Sequence, residues 1–175
     1  MSNKVYRVAI ITVSDKGSRG EREDASGKLI TEILEKTGDY KSEISTILPD
    51  EQELIENEIK KISDEALADL ILTTGGTGFS QRDRTPEATI AVAERLVPGI
   101  PEAMRMQSLQ ITKRAMLSRS AAAIRGKTLI VNLPGSPKAV RENLEFIIGE
   151  LKHGLDILTG NDGECGIATK LPAIN

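Results

Sequence analysis

Two aspartates and a glycine-rich turn are the residues of this chain best suited to chemistry. The turn reads TTGGTGFSQRDRT over residues 73–85 and follows the apolar run at 69–72. Asp83 lies in it between two arginines, and Asp50 ends another apolar segment in the sequence LPDE. Glycines let backbone amides approach an anion, and carboxylates beside an anion site need a hard cation such as Mg²⁺. The pattern favours reaction at a nucleotide phosphate without a side-chain nucleophile.

The glycine turn matches neither of two common nucleotide-binding motifs. It is not a Walker A loop, because no Gly-Lys-Ser/Thr follows. Gly75, Gly76 and Gly78 also lack the spacing of a G-x-G-x-x-G fingerprint. The turn alone is therefore as consistent with a tight turn after a buried strand as with a binding loop.

Each of the other candidates also has a simple structural explanation. Asp50 is placed to cap the helix that follows it, and Asp83 could pair with Arg82 or Arg84 at the surface. Gly135 could relieve a tight turn before the last helix. Taken singly, each structural explanation is the better one. The functional interpretation depends on all of these residues meeting at one edge of a sheet.

Apolar segments alternate with amphipathic ones along most of the chain. The predicted strands cover residues 5–13, 42–50, 69–74 and 127–137, and the predicted helices cover residues 25–40, 51–65, 85–96 and a long segment from Pro137. Thr85 is placed to cap the third helix. Residues 99–126 are ambiguous, with a helix near 100–110 and a helix or hairpin at 115–126.

This alternation predicts an α/β fold, a three-layer sandwich with a mostly parallel sheet and helices on both faces. We expect one domain over residues 1–175. In open α/β sheets, ligands bind at the carboxyl ends of the strands near a topological switch. The loops that leave the predicted strand ends there are 14–24, 48–52, 75–85 and 132–139. They carry hydroxyl donors and cations for a phosphate: Ser14, Thr77, Ser80, Thr85, Ser136, Lys16, Arg19, Arg82, Arg84 and Lys138.

The composition argues against several other functions. Aromatic residues make up 2% of the 175 residues and the net charge is −3, which disfavours a nucleic-acid surface. Cys165 is the sole cysteine and His153 the sole histidine, so a cysteine-based metal cluster and most histidine-dependent sites are excluded. We expect His153 to be solvated and Cys165 to be an ordinary thiol. The apolar stretch from Val8 to Val13 is too short for a signal peptide or a membrane span, so a cytoplasmic protein is expected.

Four stretches together resemble the molybdopterin adenylyltransferase family, which includes MogA-like proteins and the G domains of gephyrin and its plant counterpart. They are TVSDKGSRGEREDASG, LPDE, LTTGGTGFSQRDRTPEAT and IRGKTLIVNLPGSPKAV, and they occur in the family's order over nearly the whole chain. The combination of GGTG, RDRTPEAT and NLPGSP is specific.

The resemblance implies transfer of the adenylyl group of ATP, with Mg²⁺, to the terminal phosphate of molybdopterin. It also implies a homotrimer, with the product passing to a molybdate-insertion enzyme. Asp50 and Asp83 match the family's two essential aspartates, and we expect them to hold Mg²⁺ or position the phosphates. The nucleotide or pterin is expected to bind at Ser14, Asp15, Thr74, Gly75, Gly76, Thr77, Gly78, Thr85, Pro134, Gly135 and Ser136.

The sequence departs from several relatives at Lys16, where they carry Arg, and from some at Glu87, where they carry Asp. Arg and Lys are not equivalent at a bidentate site, so the role of Lys16 is open. Close MoaB-like relatives offer an alternative function, a trimeric pterin carrier without catalysis. Both aspartates and the glycine loop are present, which favours the enzyme.

Overall fold

The computed structural model describes residues 4–161, so Cys165 lies outside the described part of the chain. The strands are β1 Tyr6–Val13, β2 Tyr40–Leu48, β3 Leu70–Thr74, β4 Arg95–Leu96, β5 Ala122–Arg125 and β6 Thr128–Leu133. The α-helices are α1 Asp15–Ser18, α2 Ala25–Thr37, α3 Gln52–Asp64, α4 Thr85–Val92, α5 Gly99–Leu109 and α6 Pro137–Thr159, with a 3-10 helix at Lys113–Leu117.

The strands form one sheet in the order β2-β1-β3-β6-β5-β4. The first four strands in this order are parallel, and β5 and β4 continue the sheet antiparallel to their neighbours. From β1 the chain passes through α2 to β2 at one edge of the sheet. From β3 it passes through α4 to β4 at the opposite edge. This reversal between neighbouring strands is a topological switch, where α/β sheets bind ligands.

Helices cover both faces of the sheet, which confirms the predicted three-layer α/β fold. On one face α2, α5 and α6 pack against β1, β3 and β6 through an aliphatic cluster that includes Ile30, Leu72 and Leu144. On the other face α3 and α4 form a second cluster, in which Ile55 of α3 packs with alternate residues of the same strands, such as Ile11 of β1. Strands β3 and β6 are buried along their whole length, as parallel strands covered on both faces should be.

The structure corrects the helix predicted for 85–96. Helix α4 ends at Val92 because Ala93 is extended, and the chain then adds the short strand β4 to the sheet. The expected capping role of Thr85 is also wrong. Arg84 precedes the helix without a side-chain cap, and the buried Thr85 hydroxyl donates a hydrogen bond to the carbonyl oxygen of Gly75 instead.

The ambiguous segment 99–126 contains α5, the 3-10 helix and β5. Strand β5 pairs antiparallel with β6, and Gly126 between them has a φ of +56°. The hairpin alternative is therefore confirmed for the end of this segment. The loop predicted at 14–24 also contains the single-turn helix α1. Among the described residues, no helix is both long enough and apolar enough to cross a membrane.

Candidate functional site

The glycine turn after β3 is pressed against the end of β1. Gly75 has a φ of +97°, and a Cβ at this position would lie 2.3 Å from the carbonyl oxygen of Val13. Gly76 has a φ of +66°, and a Cβ there would lie 2.3 Å from the Thr85 hydroxyl. Side chains are excluded at both positions by sterics and by backbone conformation. The turn therefore presents backbone rather than side chains to its surroundings.

Two buried threonines fix this turn. The Thr85 hydroxyl donates to the Gly75 carbonyl at 2.9 Å, and the Thr85 amide donates to the Gly76 carbonyl at 3.2 Å. The Thr74 hydroxyl donates to the carbonyl of Pro134 at 2.7 Å, which joins the loop after β3 to the loop after β6. Because these donors are buried, their bonds are not exchanged with water and hold the turn in one geometry.

A cavity of about 650 Å³ opens at the carboxyl ends of β1, β3 and β6; we refer to it as the aspartate cavity. It brings together eight of the predicted site residues: Ser14, Asp50, Thr74, Gly75, Gly76, Asp83, Gly135 and Ser136. The loops from four different strands contribute to it, as the topological switch requires.

Asp50 is tied to the loop after β1 by a reciprocal pair of hydrogen bonds. Its Oδ2 accepts from the Asp15 amide at 2.8 Å, and its own amide donates to Oδ1 of Asp15 at 3.0 Å. Asp50 does not cap α3, because Glu51 precedes that helix without a side-chain cap. Burial raises the pKa of Asp50, and the nearby carboxylates of Asp15 and Asp83 raise it further.

Asp83 faces the same cavity from the loop after β3. Its Oδ2 accepts from the Ser80 amide at 3.0 Å, and Oδ2 would lie 2.9 Å from a Cβ at Gly78. The neighbouring Arg82 pairs with Asp15 and Glu51 rather than with Asp83. The Arg82 hydrogen bonds are also the main reason that the pKa of Asp15 is lowered.

Arg119, in the segment before β5, forms hydrogen bonds with the backbone of the loop that carries Asp83. Its Nε donates to the Gly78 carbonyl and its Nη2 to the Asp83 carbonyl, both at 2.7 Å. Its Nη1 forms an ion pair with Glu87 on α4. One guanidinium thus spans both ends of the loop that carries Asp83.

Two helices begin at the wall of the aspartate cavity. Asp24 caps α2 by accepting the Gly27 amide at 2.8 Å, and Ser136 caps α6 by accepting the Ala139 amide at 3.2 Å. The Ser26 hydroxyl also donates to the Gly135 carbonyl at 2.9 Å and so joins the two helix starts. Helix N-termini carry partial positive charge, which favours an anion in the space between them.

Several cavity residues were not among the predicted site residues. They are Thr12, Val13, Gly17, Arg22, Glu23, Asp24, Ala25, Ser26 and Pro137. The sequence does indicate a role for Asp24, because an aspartate directly before an amphipathic helix is a typical N-cap and α2 starts at the cavity. No sequence pattern indicates the other eight residues, since their position at the cavity depends on how the loops fold over the sheet.

The remaining predicted site residues lie next to the aspartate cavity. Thr77, Gly78 and Pro134 line a second cavity of about 290 Å³, while Asp15 and Thr85 line neither. The other walls of the second cavity are Met104, Arg105, Ser108, Thr112, Arg114, Ala115, Leu117, Ser118, Ala139, Glu142 and Asn143. Successive residues of the loops after β3 and β6 therefore line two neighbouring cavities.

The donor set of the aspartate cavity suits a hard divalent cation shared with a ligand. Asp50 and Asp83 come from different loops, and they are close enough for Asp83 to raise the pKa of Asp50. The described residues contain no cluster of three or more acidic, histidine or cysteine side chains that could hold a metal alone. Mg²⁺ is commonly bound by one or two carboxylates together with substrate phosphates, and the two aspartates fit that arrangement.

His153 lies on α6 with its side chain exposed, as expected, and away from the aspartate cavity. It borders an apolar groove of about 610 Å³ between α5, α6 and the hairpin strands.

Comparison with known proteins gives a consistent result. Residues 9–153 match the family model described as a probable molybdopterin binding domain. The chain is 44% identical over 159 residues to the molybdopterin adenylyltransferase of Helicobacter pylori J99, covering 90% of each protein. It is 43% identical over 142 residues to the Escherichia coli K12 protein of that name, covering 81% of this chain and 73% of the relative. The solved molybdopterin biosynthesis enzyme MoaB of Thermus thermophilus superposes with a TM-score of 0.84 at 48% identity, covering 89% of this chain and 98% of the other.

Proposed function

The chain belongs to the family of molybdopterin-binding domains, and from this membership and the geometry of the aspartate cavity we propose that it is a molybdopterin adenylyltransferase. One observation carries the proposal: two carboxylates from separate loops, Asp50 and Asp83, line a single cavity together with the glycine turn and the starts of two helices. The relatives named molybdopterin adenylyltransferase, at 43% and 44% identity, support the same reaction.

The cavity offers backbone amides and hydroxyl groups to the phosphates of a nucleotide. The glycine turn and the starts of α2 and α6 supply backbone amides and positive helix ends for the phosphates of ATP. Ser14 and Ser136 add hydroxyls at the rim. Because these donors sit on fixed turns, they can oppose the phosphate charge without reorganising during the reaction.

We propose that Asp50 and Asp83 hold Mg²⁺ between them. The ion would neutralise negative charge on the α-phosphate and on the departing pyrophosphate. Asp50 and Asp83 would therefore orient the phosphates indirectly. The amides of the turn that follow Gly75 would bind them directly, because the Gly75 amide donates to the Leu133 carbonyl.

The reaction joins two anions, so positioning is the main task of the protein. An oxygen of the terminal phosphate of molybdopterin attacks the α-phosphorus of ATP. The bond from that phosphorus to the bridging oxygen breaks, and pyrophosphate leaves with the bonding electrons. We propose that the two substrates occupy the two neighbouring cavities, so that their phosphates meet at the shared loops after β3 and β6.

We also propose that the protein is a homotrimer that works in the cytoplasm, where ATP is supplied, and passes its product to a molybdate-insertion enzyme. Exposed apolar side chains are concentrated on and around α5 and α6: Leu96, Met106, Leu109, Ile111, Met116, Leu117, Phe146 and Ile157. Phe146 lines the apolar groove, and five of these residues lie within the segment 99–126, so this region is the expected contact between subunits.

Light scattering coupled to size-exclusion chromatography tests the assembly. Phe146→Glu should reduce the particle mass, because it buries a charge in the expected contact. The matched control is Leu54→Glu, since Leu54 is similarly exposed on α3 on the opposite layer. A native protein with the mass of one subunit would contradict the trimer.

Product formation tests the reaction. ATP, Mg²⁺ and freshly prepared molybdopterin are incubated with the protein, and adenylylated pterin is followed by chromatography. We expect product with the native chain and none with the double variant Asp50→Ala, Asp83→Ala, while Asp64→Asn, an exposed carboxylate far from the cavity, should behave as the native chain. Pterin binding without product would instead indicate the carrier function, and omission of Mg²⁺ tests the metal requirement.

A further inference from the structure

Arg82 stands next to Asp83 in the chain, but its guanidinium contacts the loops on the other side of the cavity. Nε and Nη2 lie 3.1 Å and 2.7 Å from the two carboxylate oxygens of Asp15. Nη1 lies 2.7 Å from Oε1 of Glu51. One side chain from the loop after β3 therefore joins the loops after β1 and β2.

Asp15 extends this connection to Asp50. The Asp15 carboxylate accepts the Asp50 amide at 3.0 Å, and the Asp50 carboxylate accepts the Asp15 amide at 2.8 Å. A continuous chain of contacts thus runs from Asp83 through Arg82 and Asp15 to Asp50. We call Arg82, Asp15 and Glu51 the clasp.

We propose that Arg82 is a positioning residue that sets the separation and orientation of Asp50 and Asp83 through the clasp. The structural part of this inference stands on the contacts alone, and its catalytic consequence rests on the proposed function. Arg82 acts through other residues, because its donors are directed to Asp15 and Glu51 and it does not line the aspartate cavity.

The clasp differs from an isolated surface ion pair because it joins Arg82, Asp15, Glu51 and the Asp50 amide in one network. Exposed pairs usually contribute little, because two flexible side chains must be ordered to form them. Here the planar guanidinium meets both oxygens of Asp15 in the two-bond arrangement that Lys cannot reproduce. The Asp15 carboxylate is also held by the amide of Asp50, so one partner is fixed before Arg82 binds.

The same arginine could instead serve as a direct phosphate ligand after leaving the clasp, and steady-state kinetics separate the two roles. Loss of a positioning residue lowers kcat and leaves KM nearly unchanged, whereas loss of a group that binds the substrate raises KM. Placement errors as small as 1 Å can reduce a rate by ~10²-fold. A residue that fixes two loops can therefore have a large effect without touching the substrate.

The test compares Arg82→Ala and Arg82→Lys with a matched pair elsewhere. Arg125 makes the same two-bond contact with Asp64, at 2.8 Å and 2.8 Å, at the opposite end of the sheet, so Arg125→Lys is the control. We expect kcat of adenylyl transfer to fall ~30-fold in Arg82→Ala and less in Arg82→Lys, with KM for ATP within about twofold of the native value. Arg125→Lys should keep the native kcat.

A double variant checks that the clasp acts as one unit. Adding Asp15→Asn to Arg82→Ala should cause no further loss of kcat, because groups in one network are not additive. Independent, multiplying losses would overturn the proposal, as would an unchanged kcat or a rise in KM alone in Arg82→Ala.

Amide hydrogen exchange in the protein without substrates tests the clasp separately from the reaction. The Asp15 and Asp50 amides should exchange about tenfold faster in Arg82→Ala than in the native chain, and at the native rate in Arg125→Lys. Unchanged exchange at both amides would overturn the inference. If the native chain makes no adenylylated product but exchange still rises, the proposed function fails and the clasp stands.

Discussion

The two ends of the sheet use the same interaction for different purposes. At the amino end, Arg7 binds Asp69 through Nη2 at 3.1 Å and through its backbone amide at 2.9 Å, and Arg125 binds Asp64. These pairs join a strand to the element beside it. At the carboxyl end, Arg82 binds Asp15, whose partner Asp50 faces a cavity. The ion pairs at the amino end connect neighbouring elements of the fold. The Arg82–Asp15 pair at the carboxyl end instead contacts Asp50, whose carboxylate lines the cavity.

The glycines differ between the two ends in the same way. Gly126, in the hairpin at the amino end, has a positive φ, but no atom lies within 4 Å of the place that a Cβ would occupy. Gly75, at the carboxyl end, also has a positive φ, and it contacts the Val13 carbonyl closely. Gly126 only provides the backbone conformation of a turn. Gly75 also allows the turn after β3 to pack against the end of β1. The close packing of backbone on backbone is what distinguishes the candidate site from an ordinary turn.

The largest effect should come from the cavity carboxylates. Asp83→Asn keeps the shape of the side chain but removes its charge, and we expect transfer to fall by at least ~10²-fold with the fold intact. Asp69→Asn removes a carboxylate at the amino end and should keep the native turnover. The two variants are compared by the amount of adenylylated pterin that they form, measured by chromatography. Circular dichroism checks that both are folded. Near-normal turnover in Asp83→Asn would remove that residue from the mechanism.

The glycine comparison gives the next largest effect. Gly75→Ala should lower the free energy of unfolding by about 3 kcal/mol, because it adds a backbone clash to an unfavourable φ. Gly126→Ala should cost about 1 kcal/mol, since only the left-handed conformation is penalised. Urea denaturation of both variants measures the difference. Equal losses would show that the approach of Gly75 to Val13 contributes nothing.

Two buried threonines allow a sharper comparison. Thr85 donates to the Gly75 carbonyl at the carboxyl end, and Thr128 donates to the Ala68 carbonyl at the amino end, both at 2.9 Å. Replacing either hydroxyl by a methyl leaves a buried carbonyl short of a donor, so Thr85→Val and Thr128→Val should each cost about 1–2 kcal/mol. Only Thr85→Val should also slow transfer. A loss of transfer in both would mean that stability, rather than the turn, limits activity.

The smallest effect is a dependence of stability on pH at the amino end. Burial would raise the pKa of Asp69, but hydrogen bonds from the Arg7 guanidinium and amide outweigh it and hold the pKa below its ordinary value. The pair therefore stabilises the fold above the unfolded pKa of about 3.9, and the gain is lost as pH falls through the lower folded pKa. Asp69→Asn should cost about 1 kcal/mol at pH 7, and this cost should shrink as the pH falls below the unfolded pKa of about 3.9. A constant difference across urea melts from pH 7 to pH 2 would contradict this.

The sequence is sufficient to predict the layers and the main strands of the sheet. Strands such as β3 are uninterrupted apolar runs, and α2 and α6 carry a regular apolar stripe, so local pattern and final structure agree. The prediction for helix α4 is too long because the apolar pattern continues past Val92, while pairing of Arg95 and Leu96 with β5 ends the helix. That pairing is a long-range contact that no local pattern reports.

The candidate site is predictable in its central residues, but not in the rest of its lining or in the hydrogen bonds that connect those residues. Asp50, Asp83 and the glycine turn stand out by type and position, and Asp50, Asp83, Gly75 and Gly76 line the aspartate cavity. The reciprocal bonds of Asp15 and Asp50 join residues 35 positions apart, and the Arg82 contact with Asp15 joins residues 67 apart. Their existence follows from strand order, which places β1 between β2 and β3. The binding roles of the individual cavity residues stay predictions.

The joining of Ser26 to Gly135 across 109 positions has a consequence for how the protein folds. The walls of the aspartate cavity come from chain segments as far apart as Thr12 and Pro137, so the cavity is complete only after β6 has docked beside β3. Contacts of such long range form late, because the loop between them must be closed first. The nucleotide that we propose for this cavity would therefore bind only fully folded chains and would stabilise them against unfolding by mass action.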